Sequence, residues 1–205
     1  MAHRITTLAE LEALYGPPIP SSLTKVTDRL TPEYRALVEA APFCVLATAG
    51  PNGLDASPRG DGPGFVHVED DRTLMLPDRR GNNRLDSLKN IVADPRVHLL
   101  FLIPGVNETF RVAGTAEIRT DPDLRARFAV GGKEPATVLV ISIDRAYFQC
   151  AKALARSALW DPATRVERKS LPSTGQILAG TQALAPEEVA AYDEAMPARH
   201  QAQLY

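Results

Sequence analysis

The amino-acid sequence predicts a mainly β domain with peripheral helices, in which six or so antiparallel strands form a closed barrel. Short apolar, strand-like runs recur from residue 43 to residue 150, separated by turns rich in Gly, Pro, Asn and Asp. Helical periodicity is confined to the two ends of the chain and to corners between strands. One strand, TVLVISIDRAYFQC, is long.

In chain order, two short helical patterns come first, at Leu8 to Leu14 and Pro32 to Ala40, separated by the break GPPIP. Thr31 suits an N-cap, Pro32 the first helical position and Glu33 the positive helix end. Residues 1–41 therefore read as a helical arm packed on the main domain. From Pro42 a β-meander is expected: FCVLATA, the turn GPNG, LDASP, the Gly-rich GDGPG, FVHV, the acidic turn EDD and TLMLP. A helix is predicted from Asn83 to Ala93, stopping before Asp94-Pro95 because the residue before proline disfavours helix. VHLLFLI, the turn PGVN and TFRVAGTAEI follow. A further helix is predicted from Thr120 to Pro122 onward, ending at Gly131-Gly132. The barrel would span residues 42–160. In the extension, residues 161–205, KSLPSTGQILAG reads as loop and APEEVAAYDEAM as a capped helix, while CAKALARSALW before it fits either state.

With 205 residues, 44% of them hydrophobic, the chain can bury one substantial core. A formal charge of −2 and a pI near 6.1 argue against general nucleic-acid binding and leave the basic residues as local clusters. The start lacks the apolar core of a signal peptide, and the longest strongly apolar run, Val97 to Ile103, is too short to span a bilayer, so a cytoplasmic protein without membrane partners is expected. Cys44 and Cys150 form neither a disulfide framework nor a zinc motif, and Cys44 reads as a small buried hydrophobe. His3, His67, His98 and His200 are scattered, so no metal site is expected.

The most informative stretch is LPDRRGNNRLDSL, residues 76–88. A strand runs into a Gly/Asn/Arg turn that opens a helix, where unpaired amides and the helix dipole attract anions. Arg79, Arg80 and Arg84 add forked donors matched to phosphate oxygens. The same stretch also reads as an ordinary strand-to-helix turn with three solvated arginines.

Taken together, FCVLATAGPNGLDASPRGD, FVHVEDDRTLMLPDRRGNNRLDSLKNI, DPRVHLLFLIPG and FRVAGTAEI resemble, in order and spacing, the pyridoxamine 5′-phosphate oxidase-like family of FMN-binding split barrels. The resemblance covers roughly residues 40 to 160. It implies a six-stranded antiparallel split β-barrel and a homodimer holding FMN in clefts at its interface. It also implies that Ser57, Pro58 and Arg59 line the flavin, and that Leu76, Pro77 and Asp78 meet the ring edge through main-chain atoms. Asn83, Arg84 and Ser87 fall where the family binds the FMN phosphate, although its usual Ser-Arg-Lys triplet is absent and the segment is longer. Thr109 and Arg111 lie near a position where the family often sets a glutamine against the ring.

The segment CAKALARSALW departs from the authentic oxidase and resembles a branch of flavoproteins with Cys, Lys, Arg and Trp at this spacing. Lys152 and Arg156, four apart, would share a helical face, and Trp160 could shield an aromatic ring. An amphipathic basic helix capped by a packing tryptophan fits the same residues. The family's substrate-gripping helix is replaced by DLRARFAVGGKEP, which argues against the authentic oxidase activity. No GxSxG elbow, paired Cys/His spacing or P-loop is present, and GDGPG has the wrong spacing for a dinucleotide fingerprint. The sequence thus points to an FMN-dependent oxidoreductase acting on an unidentified small molecule. A non-catalytic flavin-binding, storage or sensing protein stays open beside it, as does a deazaflavin- or haem-using relative.

Overall fold

A computed structural model describes residues 4–51 and 53–205. Asn52 of the GPNG turn, His3 and the two residues before it lie outside the described residues. The strands are β1 (Phe43–Gly50), β2 (Gly53–Gly60), β3 (His67–Val68), β4 (Thr73–Asp78), β5 (Arg96–Leu102), β6 (Thr109–Arg119) and β7 (Thr137–Gln149). They form one antiparallel sheet in the order β2-β1-β5-β6-β7-β4-β3. The split barrel therefore has seven strands where the sequence reading expects six. The extra one is the two-residue β3, which pairs only His67 with Met75 and Val68 with Leu74.

The split follows from β6 and β7, which pair along nearly their whole length. The first half of β6 carries β5, β1 and β2, whereas the first half of β7 carries β4 and β3. Between the halves, the register shifts at Ala113/Gly114. Gly114 is required there, because a Cβ would fall 1.9 Å from the Ser142 carbonyl oxygen. Alternation along β1 and β5 sends Cys44, Leu46, Thr48, Val97, Leu99 and Phe101 inward. They meet Leu74, Leu76, Phe110, Val112, Leu139 and Ile141 in the core. Burial pushes the Cys44 thiol up to about 12, so it behaves as a small apolar side chain.

The helices α1 (Leu8–Tyr15), α2 (Pro20–Thr24) and α3 (Pro32–Ala40) precede the barrel. As expected, Thr31 caps α3 by accepting from the Tyr34 amide. Only α3 of the three buries a side chain, Val38. A lone bridge between Thr27 and Ala146 ties this segment to β7.

Helix α4 (Asp86–Ala93) starts later than predicted, because Asn83 and Leu85 adopt left-handed φ values of 59° and 61° that a helix cannot include. It packs on β1 through Asn90, whose Nδ2 donates to Thr48 Oγ1 over 3.0 Å. Helix α5 (Pro122–Ala126) is shorter than predicted. Beyond it the chain tightens into i→i−3 turns, with Phe128 N on Arg125 O and Ala129 N on Ala126 O. In the remainder are α6 (Lys152–Ser157), α7 (Thr174–Ala179) and α8 (Pro186–Ala202). Helix α7 replaces part of the expected KSLPSTGQILAG loop, because Ser173 and Gln176 complete a capping box. No helix among the described residues is long and apolar enough to cross a membrane.

Candidate anion-binding cleft

The two ends of the sheet meet in a cleft. Period-two alternation along β2 turns Asp55, Ser57 and Arg59 to one side, the less exposed one. From the other end, β4 delivers Asp78 and leads into the turn 79–85. Two ion pairs cross between them: Arg59 with Asp78, and Arg79 with Asp61 at 2.9 Å. Arg79 also donates to the Phe128 carbonyl over 2.6 Å, a bond made possible by the end of α5.

A cavity of about 910 Å³ opens at this junction. Its cations are Arg59, Arg79, Arg80, Arg84, Arg125 and Lys133. Carboxylates already engage four of them: Arg59 and Arg79 as above, Arg84 through Asp86, and Arg125 through Glu134. Arg80 has no hydrogen-bond or ion-pair partner among the described residues. A second cavity of about 720 Å³ adjoins the first and shares Pro58, Arg59, Arg79, Arg80, Gly81, Asn82 and Tyr205 with it.

The start of α4 lies in the lining of the larger cavity. Leu85 stands at its N-cap without a side-chain hydrogen bond to the first turn. A leucine in this left-handed conformation costs roughly 1–2 kcal/mol, a kind of local strain that concentrates at functional sites. Ser87 is buried and its hydroxyl donates to Asp55 Oδ2 over 2.8 Å, an oxygen that Ser57 also reaches over 2.9 Å. The Ser87 bond, foremost among the contacts, holds the Asp55 carboxyl below its ordinary range. Burial works to raise Asp61, but the Tyr205 hydroxyl, the Gly62 amide and Arg79 outweigh it and keep that carboxyl low. Two buried polar atoms in the lining, Arg59 Nε and Thr137 Oγ1, have no partner among the described residues.

Of the residues singled out in the sequence, the cleft brings together Ser57, Pro58, Arg59, Asp78, Arg79, Arg80, Asn83, Arg84 and Ser87. Pro77 lines the adjoining cavity, whereas the Leu76 side chain is buried in the core. The structure places the other five elsewhere. Thr109 is buried at the start of β6, and Arg111 donates to the Tyr147 hydroxyl at 3.4 Å and keeps its Nε buried without a partner. Lys152 and Arg156 lie exposed on α6, four apart as expected for one face, and the Trp160 indole donates to the Val106 carbonyl over 2.8 Å. Sequence reasoning missed Asp61, Arg125, Lys133, Thr137 and Tyr205. Asp61 stands only two residues after Arg59, whereas the other four are distant in the chain and the topology alone assembles them.

A family model described as pyridoxamine 5′-phosphate oxidase matches residues 30–150, well over half of the sequence. The chain belongs to this family. Its barrel thus has the flavin-binding fold of that family. No curated protein matches the chain. Among solved structures it is similar to HupZ of Group A Streptococcus, with a TM-score of 0.48 and 19% identity over 58% of this chain and 93% of that one. A putative pyridoxamine 5′-phosphate oxidase of Lactobacillus delbrueckii gives 0.47 and 22% over 59% and 95%. A Clostridium acetobutylicum protein related to general stress protein 26 gives 0.45 and 17% over 57% and 85%.

Proposed function

We propose that the cleft binds FMN and that the protein is an FMN-dependent oxidoreductase acting on a small molecule. The observation that carries this reading is the convergence of six cationic side chains on one cavity in a chain of this family. The donor set fits a phosphate ester. Arg59 Nε and Thr137 Oγ1 are buried without partners, and Arg80 is uncommitted. A cavity of about 910 Å³ falls within the ~300–1,000 Å³ typical of small-molecule sites.

Arg59, Arg80 and the opening of α4 would hold the phosphate, with Arg84 contributing from the rim. Asp55 fixes Ser57 and Ser87 in position, so these hydroxyls shape the floor of the cleft. A bound flavin supplies two-electron redox chemistry by itself, so the protein has to anchor, orient and shield. The residues away from the cleft on one chain, Arg111, Lys152, Arg156 and Trp160, join the reading through a homodimer with a flavin site at its interface.

Protein purified without added cofactor is expected to absorb as a flavoprotein and to release FMN rather than FAD on denaturation. A colourless protein that takes up no FMN on titration would overturn the cofactor. Oxidation of a reduced nicotinamide cofactor by the flavin-loaded protein under oxygen tests catalysis separately from binding.

A further inference from the structure

Tyr205 contributes to the lining of both cavities. It arrives there from α8, a helix that buries no residue of its own, and its neighbour Leu204 is exposed. The end of α8 and the tail after it also set His200, Gln203 and Leu204 along the smaller cavity, and among the described residues Tyr205 adds three contacts of its own. Its hydroxyl donates to Asp61 Oδ1 over 2.8 Å. Its ring stands 5.7 Å from the Arg79 guanidinium. Its main-chain oxygen accepts from Lys133 Nζ over 3.1 Å.

Each partner belongs to the cleft: Arg79 and Lys133 line the larger cavity, and Asp61 and Arg79 the smaller. The bond to the Asp61 carboxylate and the bond from the Lys133 ammonium are both charge-assisted, with the cation–π contact adding a smaller share. Three contacts made by one residue at the end of a helix can break without disturbing the core. The same contacts, while intact, hold an aromatic wall across the place where the two cavities meet.

We infer that Tyr205 is a binding residue of the cleft and its latch, forming a wall against a bound phosphate ester and swinging aside for entry and release. This inference rests on the FMN reading for its ligand. A latch raises the barrier to exchange in both directions, so its loss changes rates more than affinity. A tyrosine that merely packs would change stability and leave both rates alone.

The test is stopped-flow association and release of FMN with the wild-type chain, Tyr205→Phe and Tyr205→Ala. Release is expected to speed up about tenfold in Tyr205→Ala, the factor set by losing one charge-assisted bond. Tyr205→Phe, which keeps the ring and loses the hydroxyl, should approach the same rate, and association should quicken in both. Equal release rates across the three chains overturn the latch.

Should the wild-type chain bind no FMN, the cofactor reading fails and the latch is judged by a separate readout. With 3-fluorotyrosine incorporated, the Tyr205 ¹⁹F line, assigned by its loss in Tyr205→Phe, is expected away from the free-tyrosine position and should move toward it in Asp61→Ala, which removes the acceptor. A line already at that position in the wild-type chain, or one unmoved by Asp61→Ala, overturns the latch.

Discussion

Arg59 and Asp78 pair across the seam where no backbone ladder of the described residues joins the two ends of the sheet. Their side chains are 20% and 14% exposed, so the pair is largely removed from water. It also leaves Arg59 Nε buried and unpartnered. The guanidinium is therefore fixed at the cleft with its Nε donor still unused, an arrangement suited to an anion arriving from outside.

The two partners of this pair should separate stability from binding. Arg59→Ala strands a buried carboxylate and removes a phosphate donor, so it should cost about 1–3 kcal/mol in stability and about 1.5–3 kcal/mol in FMN affinity. Asp78→Asn should also destabilise the fold, yet it frees the guanidinium and should leave FMN affinity unchanged or raised. Thermal melts and calorimetric titration of both variants check this. Equal losses of affinity would mean that Arg59 serves only the seam.

Among the three arginines of the turn, the family resemblance points to Arg84 for the phosphate, and the structure changes what its removal should do. Its side chain is 77% exposed and already paired with Asp86. Arg84→Ala should therefore weaken FMN binding by less than about 1 kcal/mol, and that loss should shrink further in salt. Arg80, without a partner among the described residues, has its donors free, and Arg80→Ala should cost about 1.5 kcal/mol or more. Titrations at low and high ionic strength distinguish them. A larger loss at Arg84 would show that the ligand takes this arginine away from Asp86.

Strands β1 and β5 were legible because one face of each packs on the core. In FCVLATA, the buried positions Cys44, Leu46 and Thr48 alternate as a period of two requires. The α3 cap at Thr31 was legible for the same local reason. The capping box of α7 was equally local, Ser173 three residues before Gln176, and went unread within a stretch punctuated by Pro and Gly. The start of α4 was not legible, since nothing in a leucine announces a left-handed φ at Leu85. The far wall of the cleft was also beyond local reading. Arg125, Lys133 and Tyr205 reach Arg59 only through the pairing of β7 with β4 and the return of the chain after α8.

The pH dependence of the cleft floor follows from Asp55. Its carboxyl is held below the ordinary range, first by the Ser87 hydroxyl and then by Ser57 against the opposing effect of burial. An unfolded chain therefore binds this proton more readily than the folded one. The stabilisation is fully present above the unfolded value and is lost as pH falls through the lower, folded value. Ser87→Ala should raise the Asp55 carboxyl toward its ordinary value and move the onset of acid unfolding to higher pH. Carboxyl ¹³C titration and an acid-unfolding curve read the two effects. An unmoved Asp55 resonance would show that Ser57 and the neighbouring backbone suffice.

Assembly is the last expectation, and it connects the cleft to the residues that lie away from it. The side of the sheet opposite the core carries Val45 and Ala47 on β1, Leu54, Ala56 and Pro58 on β2 and Leu100 on β5, brought together by the register of these strands. Leu54 is 91% exposed, and an open apolar sheet face of this kind is suited to association. Sedimentation should give a particle near twice 22.2 kDa. Leu54→Glu places a charge on that face and should shift the equilibrium toward monomer. If the partner subunit brings Arg156 to the flavin, Arg59→Ala and Arg156→Ala should each be defective as homodimers. Mixed together, they should regain one intact site in each heterodimer, read as recovered FMN binding or turnover. Heterodimers that form and recover nothing, or a monomer that retains FMN, would place the whole site within one chain and return α6 to a packing role.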